Sequence, residues 1–426
     1  MPSLFEDLRW RGLVHQITDN EILPARLDAG GMVLYIGFDP TADSLHVGSL
    51  QQLVMLKRFE LAGHRPIALV GGGTGMIGDP SGKTEERGLL DDDQLRANRD
   101  AVSAQIAGFL GVSGTSDGPI LVDNAEWLAE ARLLEFLRDV GKVFSVNEMV
   151  RKESVRARLE GREQGLSFTE FSYMLLQSWD FLQLFERYGC ELQLGGSDQW
   201  GNIIEGVDLI RRLRGAAAYG LTSPLVTKSD GTKFGKTESG NVWLDPKKTS
   251  PYEFFQFWVR TTDGDVPDYL RRLTFLSRER IEELEQELKE HPERREAQRA
   301  LSLELTAMVH GATEAQKAEE AAAVLFTEGI TRLDPETLEA ALADAPTTPI
   351  RRTAIEQGLP IVEVLVETGL ASSKGNARQL LKQGSIYVNG MRVGEERSLG
   401  TDDVIHGRWI ALRRGKSHQH ILLLED

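Results

Sequence analysis

The first half of the chain switches repeatedly between the spacing of a strand and that of a helix, and this alternation limits the fold more than any other feature. Met32-Val33-Leu34-Tyr35-Ile36 is a short unbroken apolar run, the pattern of a buried strand. A loop follows, after which Leu50, Leu53, Val54 and Leu61 recur on one face of a helix that starts near Ser49. Pro66-Ile67-Ala68-Leu69-Val70 is a second strand and runs into the glycines from Gly71 to Gly75. Strand, helix and strand in this order predict an α/β domain built on a doubly wound parallel sheet. Pro119-Ile120-Leu121-Val122 and Leu192-Gln193-Leu194 supply further strands. Sheets of this kind bind ligands beyond the carboxyl ends of their strands, where the informative loops of this sequence also fall.

Beyond the sheet the spacing changes. Residues 251–325 are rich in Glu, Arg and Leu at helical intervals, and residues 326–350, with Pro335, Pro346 and Pro349, read as a linker. From Pro360 onward the pattern is helix, helix, then the strand Ser385-Ile386-Tyr387-Val388, with Asn389-Gly390 as a tight hairpin turn. The expected division is a Rossmann-like domain over 1–245, a helical domain over 246–325, a linker over 326–350 and a small α+β domain over 351–426. That is about three folded domains for 426 residues at roughly 150 residues each.

Charge and composition exclude several classes of function. The net charge of −16 argues against a generally basic, non-specific nucleic-acid binder. Residues 371–416, however, hold nine Lys and Arg against four Asp and Glu, so this basic segment on an acidic body suits a polyanion. The single cysteine, Cys190, excludes a disulfide framework and a cysteine-based metal site, and suits a reducing cytosol. The histidines show no metal-ligand spacing. No run approaches ~18 uninterrupted apolar residues, so no membrane span is expected. Met1 to Asp7 lack a basic stretch and a long apolar run, so no signal peptide is expected either.

Two glycine patterns imitate nucleotide sites. Gly73-Thr74-Gly75-Met76-Ile77-Gly78 matches G-x-G-x-x-G after a strand, the pattern of a dehydrogenase, but Asp79-Pro80-Ser81-Gly82 continues as loop where a helix should open. Gly78 to Thr84 imitates a P-loop with three residues between its glycines where four are needed.

Three other loops carry chemistry. In Gly37-Phe38-Asp39-Pro40-Thr41-Ala42-Asp43-Ser44-Leu45-His46-Val47-Gly48-Ser49, the N–H groups of the following helix attract phosphate. Gly37 and Gly48 allow close approach of a ligand, and His46 can donate to a phosphate oxygen. In Lys233-Phe234-Gly235-Lys236-Thr237, two lysines three apart bring positive charge to a triphosphate. In Gly195-Gly196-Ser197-Asp198-Gln199-Trp200-Gly201, the glycines allow backbone contact and Asp198 can accept from ribose hydroxyls.

These loops, in this order, resemble the HIGH and KMSKS signatures of class I aminoacyl-tRNA synthetases. With Phe171-Ser172-Tyr173-Met174-Leu175-Leu176-Gln177-Ser178-Trp179-Asp180, the chain is similar to the bacterial tyrosyl-tRNA synthetases over nearly its whole length. The resemblance implies that Tyr35 and Asp180 bind the substrate phenol, that Asp79, Tyr173 and Gln177 hold the ammonium, and that Gln199 lies near the carboxylate. It implies γ-phosphate contacts from Thr41 and His46, and nucleotide and ribose contacts from Gly37, Asp39, Gly48, Gly196 and Asp198, with Leu225 and Val226 against adenine. Lys233, Lys236 and Thr237 are the implied pyrophosphate clamp, and Lys83 and Arg87 further cations acting on the transition state. Ser372 to Arg378 and Ser385 to Gly390 resemble a small RNA-binding fold shared with a ribosomal protein. There Lys374, Arg378 and Lys382, at i, i+4 and i+8, place three cations on one helix face toward RNA. Ser49 stands where the family has the second histidine of HIGH, Thr84 where many relatives have a lysine, and Phe234 and Gly235 where KMSKS has Met and Ser.

The implied activity is a tyrosine–tRNA ligase of the cytoplasm, with a catalytic 1–245 domain, an anticodon-side 246–325 domain and an RNA-binding 351–426 domain. L-tyrosine, ATP with Mg²⁺ and tRNA(Tyr) are its expected partners, in a homodimer with no tightly bound cofactor and no resident metal. A phenol both donates and accepts, so a carboxylate paired with a tyrosine hydroxyl satisfies it. Leaving that buried pair unmet rejects phenylalanine, by about 10⁵ in the value already known for this family. The alternatives are a tryptophanyl-tRNA synthetase, whose donor-only indole has less use for the pair and whose family lacks the tail module, and a non-catalytic RNA-binding protein.

Overall fold

The strands and helices assemble into the sheet that their alternation predicts. The computed structural model describes residues 3–81, 91–115, 118–152, 155–156, 166–229, 234–237, 240–324, 327–343, 345–415 and 418–425, with Lys236, Thr237 and Glu328 described in their backbone alone. These fall into two units, Met1–Lys248 with Thr261–Leu301, and Thr249–Arg260 with Ser302–Asp426.

The first unit is built on a six-stranded sheet of β1 (Gln16–Ile17), β2 (Val33–Phe38), β3 (Arg65–Val70), β4 (Ile120–Asp123), β5 (Cys190–Gly196) and β6 (Tyr219–Ser223). The spatial order is β1-β6-β5-β2-β3-β4. From β2 the chain moves outward through β3 to β4, then returns to the other side of β2 with β5 and β6. The switch point, and with it the ligand crevice, therefore lies at the carboxyl ends of β2 and β5. Leu34, Tyr35 and Ile36 are all buried, as expected for a central strand covered on both faces. Only β1 is antiparallel, a two-residue edge whose pairing with β6 has no counterpart in its local spacing.

Two helices carry most of the crevice. The Val47–Leu61 helix starts two residues before the expected Ser49, from His46, whose side chain caps it; it buries Leu50, Leu53, Val54 and Phe59, while Leu61, expected on the same face, is exposed in its last turn. The Phe168–Tyr188 helix is capped by the Ser167 hydroxyl and stopped by Gly189 in the left-handed region. Tyr173, Gln177 and Asp180 recur on it at i, i+4 and i+7, so they share one face. A short ribbon, β7 (Lys236–Thr237) with β8 (Gly240–Asn241), follows β6.

The second unit holds the Pro251–Val259, Ala312–Val324 and Pro335–Leu342 helices and a five-stranded sheet. The sheet strands are β9 (Thr347–Arg351), β11 (Ile386–Val388), β12 (Met391–Arg392), β14 (Trp409–Arg414) and β15 (His418–Glu425), in the order β12-β11-β14-β15-β9. A ribbon of β10 (Leu359–Pro360) and β13 (Ser398–Leu399) lies apart from it. The Ile361–Glu367 and Lys374–Lys382 helices pack Ile361, Leu365 and Leu381 with Ile386, Val388, Ile410 and Leu412. The Asn389-Gly390 turn forms as expected, with φ of 48° and 80°, the type I′ geometry that suits a twisted hairpin.

Residues 326–350, expected to be a linker, carry structure instead. They hold a 3₁₀ turn at Glu328–Arg332, the Pro335–Leu342 helix and most of β9. Pro335 is not a breaker, because it occupies the first turn of a helix capped by Asp334, where no amide donor is needed. Pro349 lies in β9, the edge strand of its sheet, where a missing N–H is tolerated. Among the described residues no helix is long and apolar enough to cross a membrane.

Candidate active site

A cavity of about 350 Å³ opens at the switch point, with β2 and β5 as its floor and the Val47–Leu61 and Phe168–Tyr188 helices as walls. Fourteen of the residues singled out from the sequence line it: Tyr35, Gly37, Asp39, Thr41, His46, Gly48, Asp79, Tyr173, Gln177, Asp180, Gly196, Asp198, Gln199 and Leu225. Ser49, which replaces the second histidine of the HIGH pattern, lines it too. Val226 is not among the lining residues. Lys83, Arg87 and Lys233 lie outside the described residues, and of Lys236 and Thr237 only the backbone, in β7, is described.

The floor is a buried polar pair in apolar surroundings. Tyr35 is 1% exposed, and its hydroxyl has no hydrogen-bond partner among the described residues. Burial, and then the charge of Asp180, push its ionisation well above the ordinary value. Asp180 is 2% exposed and accepts from Asn124 Nδ2 at 2.9 Å and from Trp127 Nε1 at 2.7 Å. Burial pushes its carboxyl up to about 8, against the opposing pull of those two donors. An orphaned hydroxyl beside a held carboxylate is costly in the absence of a ligand, and both groups are satisfied by one that donates and accepts at a single oxygen.

The mouth is a second polar network. Tyr173 donates to Asp39 Oδ2 at 2.9 Å, and Thr74 donates to Asp39 Oδ1 at 2.8 Å. Gln199 donates to Asp79 at 2.7 Å, Gln177 donates to Gln199 at 3.2 Å, and Asn202 donates to Gln177 at 2.8 Å. Besides Asp180 at the floor, three carboxylates, from Asp39, Asp79 and Asp198, line the cavity. That charge suits an ammonium and a set of hydroxyl donors.

His46 lines the cavity at the start of the Val47–Leu61 helix. Its Nδ1 accepts from the Gly48 amide at 2.9 Å, so the neutral ring carries its proton on Nε2 and is a donor there. Gly48 is required for this cap, since a Cβ built on it would lie 2.6 Å from the His46 ring.

Sequence reasoning missed Asn124, Trp127, Thr74 and Asn202. Asn124 accepts from the Gly73 amide at 2.8 Å and donates to Thr74 Oγ1 at 2.9 Å as well as to Asp180. The G-x-G-x-x-G pattern is thus a strut of this site. Its Thr74–Met76 portion forms a single 3₁₀ turn, and no long helix begins there. The signal available was Thr74 itself, a hydroxyl inside a glycine run at a strand's carboxyl end.

The three cations named for the tail lie in the second unit, on the Lys374–Lys382 helix. Each is exposed and ion-paired: Lys374 with Glu363 at 2.7 Å, and Arg378 and Lys382 with Glu395 at 3.3 and 3.7 Å.

Comparison with known proteins agrees with this arrangement. Residues 28–327 match the family described as tRNA synthetases class I (W and Y), and residues 337–422 match the tyrosine–tRNA ligase SYY-like C-terminal domain. The chain is 51% identical over 426 residues to the tyrosine–tRNA ligase of Roseiflexus castenholzii, covering 100% of both chains. It is 50% identical to that of Desulfitobacterium hafniense, covering 99% of this chain and 100% of the other. Among solved structures, a C-terminally truncated mitochondrial tyrosyl-tRNA synthetase of Aspergillus nidulans superposes with a TM-score of 0.67 at 32% identity, over 76% of this chain and 95% of that one. The chain belongs to the class I tRNA synthetases of the W and Y family.

Proposed function

We propose that the chain is a tyrosine–tRNA ligase that activates L-tyrosine with ATP and then transfers it to tRNA(Tyr). The observation that carries the amino-acid assignment is the floor of the cavity, where the unpartnered Tyr35 hydroxyl and the Asp180 carboxylate await one donor and one acceptor. The phenol of tyrosine is both. Asp79, Tyr173 and Gln177 take its ammonium, with Gln199 toward its carboxylate. That carboxylate attacks the α-phosphate of ATP in line, forming tyrosyl-adenylate and releasing pyrophosphate. A terminal ribose hydroxyl of tRNA then displaces AMP.

No protein base is needed in the first step, because the nucleophile is already an anion. Positioning and charge stabilisation supply the acceleration. His46 Nε2 and Thr41 serve the γ-phosphate, while Gly37, Asp39, Gly48, Gly196 and Asp198 serve the nucleotide, with Leu225 and Val226 toward adenine. The cations for pyrophosphate come from Lys83, Arg87, Lys233 and Lys236, with Thr237 beside them. Mg²⁺ enters with ATP, held by its phosphates and water.

The assembly belongs to the same reading. Residues 1–245 form the catalytic domain, 246–325 the anticodon side, and the tail binds tRNA through Lys374, Arg378 and Lys382, in a cytoplasmic homodimer. Leu133, Leu134, Leu137, Val146 and Phe168 are each between 45% and 80% exposed, apolar side chains available for the pairing of two copies.

ATP–pyrophosphate exchange with each of the twenty amino acids tests the activity. Exchange with tyrosine alone is expected. Exchange with tryptophan alone overturns the Tyr35 and Asp180 assignment, and none at all overturns the activity.

A further inference from the structure

A small cluster outside the cavity binds the His46 loop to the segment after β8. Val47 N donates to Val242 O at 3.0 Å, and Leu244 N donates to Leu45 O at 2.9 Å, which sets Trp243 opposite His46 in an isolated antiparallel bridge. Val242 and Leu244 are buried, so strand alternation places Trp243 on the other face, edge-on to the His46 ring at 6.2 Å between centroids. The Val242 amide also donates to Gly235 O at 3.1 Å, so this segment is held to the β7 side of its ribbon. Lys248 then closes the cluster. Its Nζ stands 5.1 Å from the centre of the Trp243 ring and forms an ion pair with Asp43, three residues before His46.

We infer that Asp43, Lys248 and Trp243 form a latch that positions His46 for adenylate formation by fixing the register between the His46 loop and the segment after β8. The inference rests on the proposed activity. Asp43 and Lys248 are partly exposed, and such a pair contributes little to overall stability. Its effect lies in geometry. A one-residue slip of this bridge would turn Trp243 to the opposite face, and a shift of the His46 donor by about 1 Å can cost up to about a hundredfold in rate. The three are positioning residues, since none of them lines the cavity.

Steady-state ATP–pyrophosphate exchange on the full chain tests this with Lys248→Met, Lys248→Arg and Asp43→Asn. Lys248→Met and Asp43→Asn are each expected to lower kcat about tenfold, with tyrosine affinity unchanged, and the double variant to be no slower than either alone. Lys248→Arg should recover most of the rate. In a His46→Gly background, Lys248→Met should cost nothing further, because the latch acts through that ring. Wild-type kcat in Lys248→Met, independent losses in the double variant, or an added loss in the His46→Gly background would each overturn the latch. Absence of tyrosine-dependent exchange in the unmodified chain would instead overturn the activity on which it rests.

Discussion

Asp180 shows how much of the site's chemistry rests on single groups. Its two oxygens accept from Asn124 and Trp127, yet burial holds its carboxyl near 8 rather than the ordinary 3.8. The folded chain therefore retains a proton here that the unfolded chain has already released. This group's contribution to stability falls as pH rises from about 4 to about 8, and is level below and above that window. Asp180→Asn removes the titration. The thermal midpoint of the unmodified protein, measured relative to that variant, should fall as pH is raised through this window. A difference that stays constant with pH would show that Asp180 ionises normally. The same substitution gives the phenol an amide in place of the carboxyl, so tyrosine activation should drop by about ten- to a hundredfold, the scale of one lost strong hydrogen bond.

At the scale of elements, the geometry of the cavity wall depends on how one helix begins. The Val47–Leu61 helix starts at His46, which both caps it and lines the cavity. The cap requires open space at Gly48, where a Cβ would meet the imidazole at 2.6 Å. Gly48→Ala is thus expected to displace the ring. In pre-steady-state measurements it should lower the rate of adenylate formation by about tenfold or more while tyrosine affinity, set at the cavity floor, stays the same. Equal losses in both would mean that the helix itself had shifted. The Phe168–Tyr188 helix plays the complementary part, with its Tyr173, Gln177 and Asp180 spacing reaching from the mouth of the cavity to its floor.

At the scale of the whole molecule, the proposed homodimer draws on exposed apolar side chains. Leu134 is 80% exposed and Phe168 77%. Burying one such side chain contributes about 2 kcal/mol, and the proposed dimer would bury several from each copy to offset the cost of association. Sedimentation at micromolar concentration should find two copies of the unmodified chain and a single copy of Leu134→Asp. A single copy of the unmodified chain would show that this surface serves something else.

What the sequence alone determined was what local spacing can carry. A continuous apolar run specified β2, a 3.6-residue period specified the helix after His46, and two glycine-bearing loops marked the carboxyl ends of β2 and β5. Resemblance then identified fourteen residues that meet in one cavity. The supports of those residues were decided only in three dimensions. Asn124 reaches Asp180 across 56 positions, and Tyr173 reaches Asp39 across 134. Neither distance leaves a trace in the residues between. The prolines at 335 and 349 look like breaks in a linear reading, and become a helix start and an edge strand once neighbours define which amides need partners. Periodicity is a property of one segment, whereas hydrogen-bond satisfaction belongs to the packed whole, and the polar struts of this site are of the second kind.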